Sequence, residues 1–297
     1  MKPPRASPAL PPPPPRRPRI SAVLRPGTDD PTPPGEFAAG TGQMASCCPC
    51  PPDAVEELAA LEASFDRCLA GLHMFFQPIV RPDGSLFGHE ALLRSRDVGL
   101  PDPGAIIGAA ERLSRVDRLG RAVRNTVGRL IGAADPAQGT IFVNLHALDL
   151  FDRTLTSPFS PLTKVARRIV LEVTEQGSLE GLADLRYRIA ELREVGYRIA
   201  LDDLGAGPQR TSRLTPLDTD FVKLDMSLVR DVDAHPMKRQ LIGAITTMCR
   251  EHGITVVGEG VETTVEREVL VALGCDLLQG YLIARPGPPF PVPPVAT

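Results

Sequence analysis

From residue 53 onward, apolar positions recur with two periods that take turns along the chain. Short β-rich runs span Met74 to Val80, Ser85 to Leu93, Thr140 to Leu145, Arg168 to Val173, Tyr197 to Leu201, Asp220 to Leu224, Thr255 to Gly258 and Asp276 to Leu277. Helical spacing fills most of the gaps, at Pro103 to Arg112, Arg118 to Ile131, Leu182 to Glu194, Pro236 to Glu251 and Thr263 to Leu273. An earlier helix from Asp53 to Ala70 is carried by Val55, Leu58, Leu61 and Phe65. Strand and helix in alternation predict a parallel sheet with helical crossovers. Eight strands favour a closed (β/α)8 barrel over an open doubly wound sheet. The open sheet would carry G-x-G-x-x-G after its first strand, whereas Gly205-Ala206-Gly207 follows the fifth and lacks the third glycine.

The first 52 residues break this pattern. They hold 16 of the 32 prolines, five of them consecutive at positions 11 to 15, and are read as a disordered arm that cannot bury enough surface to fold. The expected organisation is a proline-rich arm over 1–52, a lead-in helix over 53–71, a barrel domain over 72–289 and a tail over 290–297. Residues 53 to 297 fall within the ~200–250 that one barrel occupies. The arm is read as a solvated extension, with docking to an unknown partner as the alternative.

Composition narrows the function classes. At 42% hydrophobic, 23% charged and mean hydropathy −0.04 the chain is that of a soluble globular protein, with no apolar run near the roughly 18 residues that insert into a membrane. A net charge of −3 and a pI near 6.0 argue against a general nucleic-acid binder, so an anionic ligand would be held locally by metals or a few placed cations. Cys68, Cys249 and Cys275 stand singly in apolar segments and read as small buried hydrophobes. Cys47, Cys48 and Cys50 cluster without a fourth ligand and read as free thiols rather than a zinc site. Arg16 and Arg17 are followed by Pro18 and only a short apolar patch from Ile20 to Leu24, which is not a secretory leader, so a cytoplasmic location is expected.

The chemistry lies at or just beyond the strand ends. The second strand gives Glu90, the third Asn144, the fourth Glu172 and Glu175, the fifth Asp202 and Asp203, the sixth Lys223 and Asp225, the seventh Glu259 and Glu262, and the eighth Gln279. In a barrel these ends converge on one face, where barrel enzymes place their chemistry. Any one polar residue there reads equally well as a loop start or helix cap; the succession is what argues for a site. Two carboxylates ~4 Å apart repel by about 4 kcal/mol at an effective dielectric near 20, and Lys223 is one cation against many acids. All-oxygen donors select hard ions such as Mg2+ or Mn2+ over zinc. The doublet Asp202-Asp203 could serve two ions ~3.5–4 Å apart, the clamp used to attack phosphodiesters. The residues alone therefore point to metal-assisted hydrolysis of a phosphate ester.

At these positions the chain resembles the EAL domain family of cyclic di-GMP phosphodiesterases. The likeness is carried by Phe76-Gln77-Pro78-Ile79-Val80, Glu90-Ala91-Leu92-Leu93-Arg94, Val143-Asn144-Leu145, Leu171-Glu172-Val173-Thr174-Glu175, Asp202-Asp203-Leu204-Gly205-Ala206-Gly207, Val222-Lys223-Leu224-Asp225, Gly258-Glu259-Gly260-Val261-Glu262-Thr263 and Gln279-Gly280-Tyr281. It runs from about Leu72 to Pro289. The resemblance implies a barrel whose first strand is antiparallel, and hydrolysis of cyclic di-GMP to linear pGpG. It implies Glu90, Asn144, Glu172 and Asp202 around one Mg2+ or Mn2+ ion, and Asp202, Asp203 and Glu259 around a second. Lys223 would position or activate the attacking water, and whether Lys223 or Glu259 is the formal base stays open. Arg94 would meet a substrate phosphate, Gln77 and Gln279 would serve substrate and its water network, Glu175 would anchor the loop after the fifth strand, and Asp225 and Glu262 would stand behind the ligands. Arg94 has a plainer reading as a salt bridge to Glu90, and Lys223 as a neutralising charge. Alternation turns His89 away from Glu90, and His146 lies past its strand, so neither is given a catalytic role.

One stretch departs from the family pattern. Pro208-Gln209-Arg210-Thr211 stand where an aromatic and small residues are usual, in a loop that in the family couples metal binding to dimer contacts. Weakened turnover or altered metal dependence is expected from it, and a homodimer stays open. The rival to an active enzyme is a catalytically weak or inactive receptor that binds cyclic di-GMP and signals through a protein partner. Glu90, Asp202, Asp203, Lys223 and Glu259 are all present, which favours the enzyme.

Overall fold

The computed structural model describes residues 52–174, 182–205 and 219–291. Cys47, Cys48 and Cys50 of the proline-rich arm, Glu175, residues 208–211 and most of the tail lie outside the described residues. Eight strands close into a barrel in chain order: β1 (His73–Val80), β2 (Leu86–Arg94), β3 (Thr140–Leu145), β4 (Ile169–Thr174), β5 (Arg198–Leu204), β6 (Phe221–Leu224), β7 (Thr255–Gly258) and β8 (Leu277–Leu278). The first strand, β1, is antiparallel to both of its neighbours, β2 and β8, and the other neighbouring pairs are parallel. The helices are α1 (Pro52–Ala70), α2 (Pro103–Arg112), α3 (Val116–Ala133), α4 (Leu182–Val195), the short α5 (Met226–Val229), α6 (Pro236–Glu251) and α7 (Thr264–Ala272). Among the described residues no helix is long and apolar enough to cross a membrane.

The period of two along each strand builds two different layers. Outward-facing Ile141, Val143, Ile169, Leu171 and Ile199 pack with Val127 and Ile131 of α3 and Ile189 and Leu192 of α4. The intervening positions point into the barrel, where Ile79, Phe142, Val170, Ala200, Phe221, Val257 and Leu277 form a separate apolar plug. Phe142 meets Phe221 edge-on at 5.1 Å between ring centroids, and Phe87 closes the base at 5.9 Å from Phe221. Arg198 stacks on Phe221 at 5.2 Å and donates to Thr140 Oγ1 at 2.7 Å. Helix α1 rests against α2 and α3 through Phe65, Cys68, Ile106 and Leu119.

Two strands differ from the sequence expectation, and both differences bear on the site. The fifth run was expected to end at Leu201 but continues to Leu204, because β5 carries one extra residue against β6: Leu201 pairs with Val222 and Leu204 with Leu224. This bulge falls on Asp202 and Asp203, and Asp203 takes a left-handed φ of 59°. Second, Glu90 lies in the middle of β2, opposite Gln77, because the β1–β2 hairpin continues up to the His73–Arg94 pair. Its side chain enters the barrel by alternation, not by standing at a strand end.

Helix α7 starts with a capping box in which Thr263 and Glu266 bond each other's backbone N–H. Buried Glu266 accepts from the N–H groups of Glu262 (2.9 Å), Thr263 (3.0 Å) and Asp231 (3.1 Å). Burial alone would raise its pKa, but these donors hold it below the ordinary 4.5. The bonded carboxylate therefore adds stability above pH ~4.5 that is lost as pH falls through the lowered folded value. Glu266→Ala is expected to cost about 1–3 kcal/mol at neutral pH. Urea midpoints should show this gap narrowing as pH falls below 4.5, and a gap that stays constant with pH would contradict the assignment.

Candidate active site

Two residues along each strand from the apolar plug, on the side of the C-terminal mouth, the inward positions turn polar. Phe142 is followed inward by Asn144, Val170 by Glu172, Ala200 by Asp202, Phe221 by Lys223, Val257 by Glu259 and Leu277 by Gln279. On antiparallel β1 the same step runs backward, from Ile79 to Gln77. The barrel thus stacks a ring of acids and amides directly on an apolar floor.

Lys223 is the hub of that ring. Its Nζ lies 2.5 Å from Glu172 Oε1, 2.5 Å from Glu259 Oε1, 3.4 Å from Asp202 Oδ1 and 3.7 Å from Glu90 Oε2. Glu172 is fully buried, Lys223 is 1% exposed, and Glu90 and Asp202 are 7% exposed. Glu90 is held from both sides: Asn144 Nδ2 donates to Oε1 at 2.8 Å and Gln279 Nε2 to Oε2 at 2.6 Å. Gln279 Nε2 also lies 3.1 Å from Gln77 Oε1, and Gln77 Nε2 donates to the Ala284 carbonyl at 3.0 Å. Gln77 and Gln279 are therefore the scaffold that orients Glu90.

One ammonium cannot balance four carboxylates in a buried ring. Burial pushes the Glu172 carboxyl well above the usual carboxylate range against the pull of Lys223, with Glu90, Asp202 and Glu259 adding repulsion. Burial likewise pushes Glu259 up to about 8, again opposed by Lys223. Burial opposes the charge on Lys223 too, but Glu172, Glu259, Glu90 and Asp202 together hold its pKa well above the ordinary lysine value. Glu90 is drawn below the usual range, because Lys223, Gln279 and Asn144 outweigh the burial that would raise it. Glu172 Oε2 is buried without a hydrogen-bond partner. This donor set, carboxylates with an amide and an orphaned buried oxygen, fits a hard divalent cation. Among the described residues no three of His, Cys, Asp or Glu converge closely enough to hold a metal ion, since the acids are spread around the lysine.

The remaining expected site residues are placed differently. Asp203 donates its backbone N–H to Asp202 Oδ1 at 2.9 Å and lines both cavities at the mouth. Asp225 caps α5 by accepting from Ser227 N–H at 2.9 Å. Glu262 forms a two-pronged pair with Arg230, both contacts 2.6 Å. Arg94 lies over the Phe75 ring at 5.4 Å and donates to the Leu93 carbonyl at 2.8 Å; among the described residues it forms no ion pair with Glu90. His89 is buried and bridges the carbonyls of Gln138 and Pro291, both at 3.2 Å, on the face away from the ring.

Two cavities meet at the mouth. A polar one of about 350 Å³ is lined by Glu90, Asp202, Lys223, Glu259 and Tyr281. An apolar one of about 500 Å³ is lined by Leu92, Leu93, Ile107, Leu119 and Val123, with Asn144 and Asp203 at its polar end. The sequence reading missed the apolar cavity, whose walls come from β2, α2 and α3. It also gave no role to Tyr281, on which Arg285 stacks at 4.3 Å; the one available signal was an aromatic directly after the last strand.

An eight-stranded barrel with one antiparallel strand and a lysine-centred acid ring at its mouth defines the class of domain. The EAL domain family matches residues 59–286, and the chain belongs to that family. The cyclic di-GMP phosphodiesterase RocR of Pseudomonas aeruginosa is 31% identical over 228 residues, which cover 72% of this chain and 57% of that protein. Among solved structures, the PaMucR phosphodiesterase in complex with c-di-GMP has a TM-score of 0.67 at 28% identity, covering 77% of this chain and 98% of that one. Klebsiella pneumoniae BlrP1 with manganese and c-di-GMP has a TM-score of 0.64 at 29% identity, covering 73% and 56%. The chain spans 26%, 31% and 57% of the length of three curated relatives.

Proposed function

We propose that the chain is a divalent-metal-dependent phosphodiesterase that hydrolyses cyclic di-GMP to linear pGpG. The observation that carries this reading is the ring of Glu90, Glu172, Asp202 and Glu259 around Lys223, set beside an apolar cavity large enough for a nucleobase. Glu90, Asn144, Glu172 and Asp202 would hold one Mg2+ or Mn2+ ion, and Asp202, Asp203 and Glu259 a second. When bound, such ions supply the positive charge that attack on a phosphodiester needs. The chain's own residues do the rest. The apolar cavity takes a base and excludes water around it, while the polar cavity receives the phosphate. Lys223 and Glu259 sit in contact, 2.5 Å apart, so both stand where the attacking water's proton is taken up, Glu259 as the group whose raised pKa lets it hold that proton and Lys223 as the charge that positions the water.

Gln279 is assigned to holding Glu90. Gln279→Leu is expected to lower kcat by about 10–100-fold, the usual cost of removing a residue that orients a metal ligand, and to lower stability by about 1–3 kcal/mol because Glu90 and Gln77 lose a buried donor. A kcat within twofold of wild type would remove it from this role. The nucleotide assignment is tested by offering purified protein cyclic di-GMP, cyclic di-AMP and bis(p-nitrophenyl) phosphate with Mn2+. Selective conversion of cyclic di-GMP to pGpG supports the proposal. Equal or faster hydrolysis of the others points to a different phosphoester. Binding of cyclic di-GMP without product leaves the receptor reading, to which the changed loop at residues 208–211 also speaks.

A further inference from the structure

We infer that Lys223 is the resident cation of the acid ring: in the metal-free protein its ammonium occupies the centre of the carboxylates that would hold the ions, so metal binding is a competition with Lys223 for them, which sets the site's metal affinity. This deepens the metal-dependent reading above and rests on it. Three observations carry it. Nζ is in contact with Glu172 and Glu259 at once and within 3.7 Å of two further carboxylates. The acids are arranged about this ammonium, and among the described residues no three of them are gathered for a metal. Lys223 is also held at its base: the parallel pairs Val222–Val256 and Lys223–Val257 fix its backbone, so only the side chain can yield. It has somewhere to go, because it lines the polar cavity of about 350 Å³ together with Asp225 and Glu262.

The charge argument gives the sign. A divalent ion entering the ring with the ammonium in place meets a like charge a few ångströms away, while an ion entering without it meets carboxylates alone. Removing the ammonium must therefore weaken the metal-free protein and strengthen metal binding. General damage to the barrel would weaken both, which separates this positioning role from a merely structural one.

The test compares the full chain and Lys223→Met, each stripped with chelator, by Mn2+ titration followed by electron paramagnetic resonance of free Mn2+. The variant is expected to bind Mn2+ at least tenfold more tightly, to melt lower than wild type without metal and to regain more stability on Mn2+ addition. Equal or weaker Mn2+ binding by the variant would overturn the inference. Should the variant fold only with metal, it is prepared in Mn2+ and the release of the ion to EDTA is timed. Slower release than from wild type supports the inference, and equal or faster release overturns it. Wild type that binds no Mn2+ sinks this inference together with the metal reading. Tight Mn2+ binding without pGpG formation contradicts the catalytic reading alone.

Discussion

Glu90→Gln is expected to reduce cyclic di-GMP turnover by about 10³-fold or more, equivalent to roughly 4 kcal/mol of transition-state stabilisation. The side chain keeps its size, so the effect isolates charge and hydrogen-bond direction. Glu90 now accepts from Asn144 on one oxygen and Gln279 on the other, with Lys223 behind it. An amide in its place must turn an N–H toward one of those two donors and withdraws one negative charge from the ring. Glu90 makes these contacts from the middle of a strand paired with β1 from Gly88 to Arg94, so the variant should remain folded. Product formation by chromatography and circular dichroism on the same samples check both statements. A variant that keeps more than a tenth of wild-type turnover would place the metal-binding work elsewhere.

The second large effect is on stability. Phe142→Ala is expected to cost about 3–5 kcal/mol, because it opens a cavity in the plug beneath the site. Phe142 is fully buried, with Phe221 at 5.1 Å and Phe87 at 6.3 Å, and it packs in the plug with Ile79, Val170, Ala200, Val257 and Leu277 of the barrel strands. The same truncation at Phe159, which is 87% exposed, should cost almost nothing. Denaturant midpoints for the two variants give the comparison directly, and a loss below about 1 kcal/mol at Phe142 would mean that the plug is not a packed layer. Because Asn144 and Lys223 stand two positions along from Phe142 and Phe221, the truncation should also loosen the ring, lowering turnover along with stability.

The fold and the ring were legible to different depths. Alternation alone separates Phe142 from Asn144 and Phe221 from Lys223, and it already implies an apolar layer beneath a polar one. The shared period across many strands carried the reading, since no single strand could. The bulge at Asp202-Asp203 could not be read in the same way, because an extra residue in β5 is defined only against its partner β6. Glu262 reads as standing behind the ligands, but its pairing with Arg230, 32 residues earlier, could not be read from the sequence. The apolar cavity is assembled from β2, α2 and α3, and no local pattern announces a space between elements. Lys223 was legible as one cation among many acids, but its place at their centre required the closed barrel.

The most direct test of the central claim is metal removal and return. Protein stripped with EDTA should give no pGpG from cyclic di-GMP, and addition of Mn2+ or Mg2+ should restore its formation in proportion to the ion bound. Steady pGpG production by fully stripped protein, or none at any Mn2+ or Mg2+ concentration while cyclic di-GMP still binds, would contradict it.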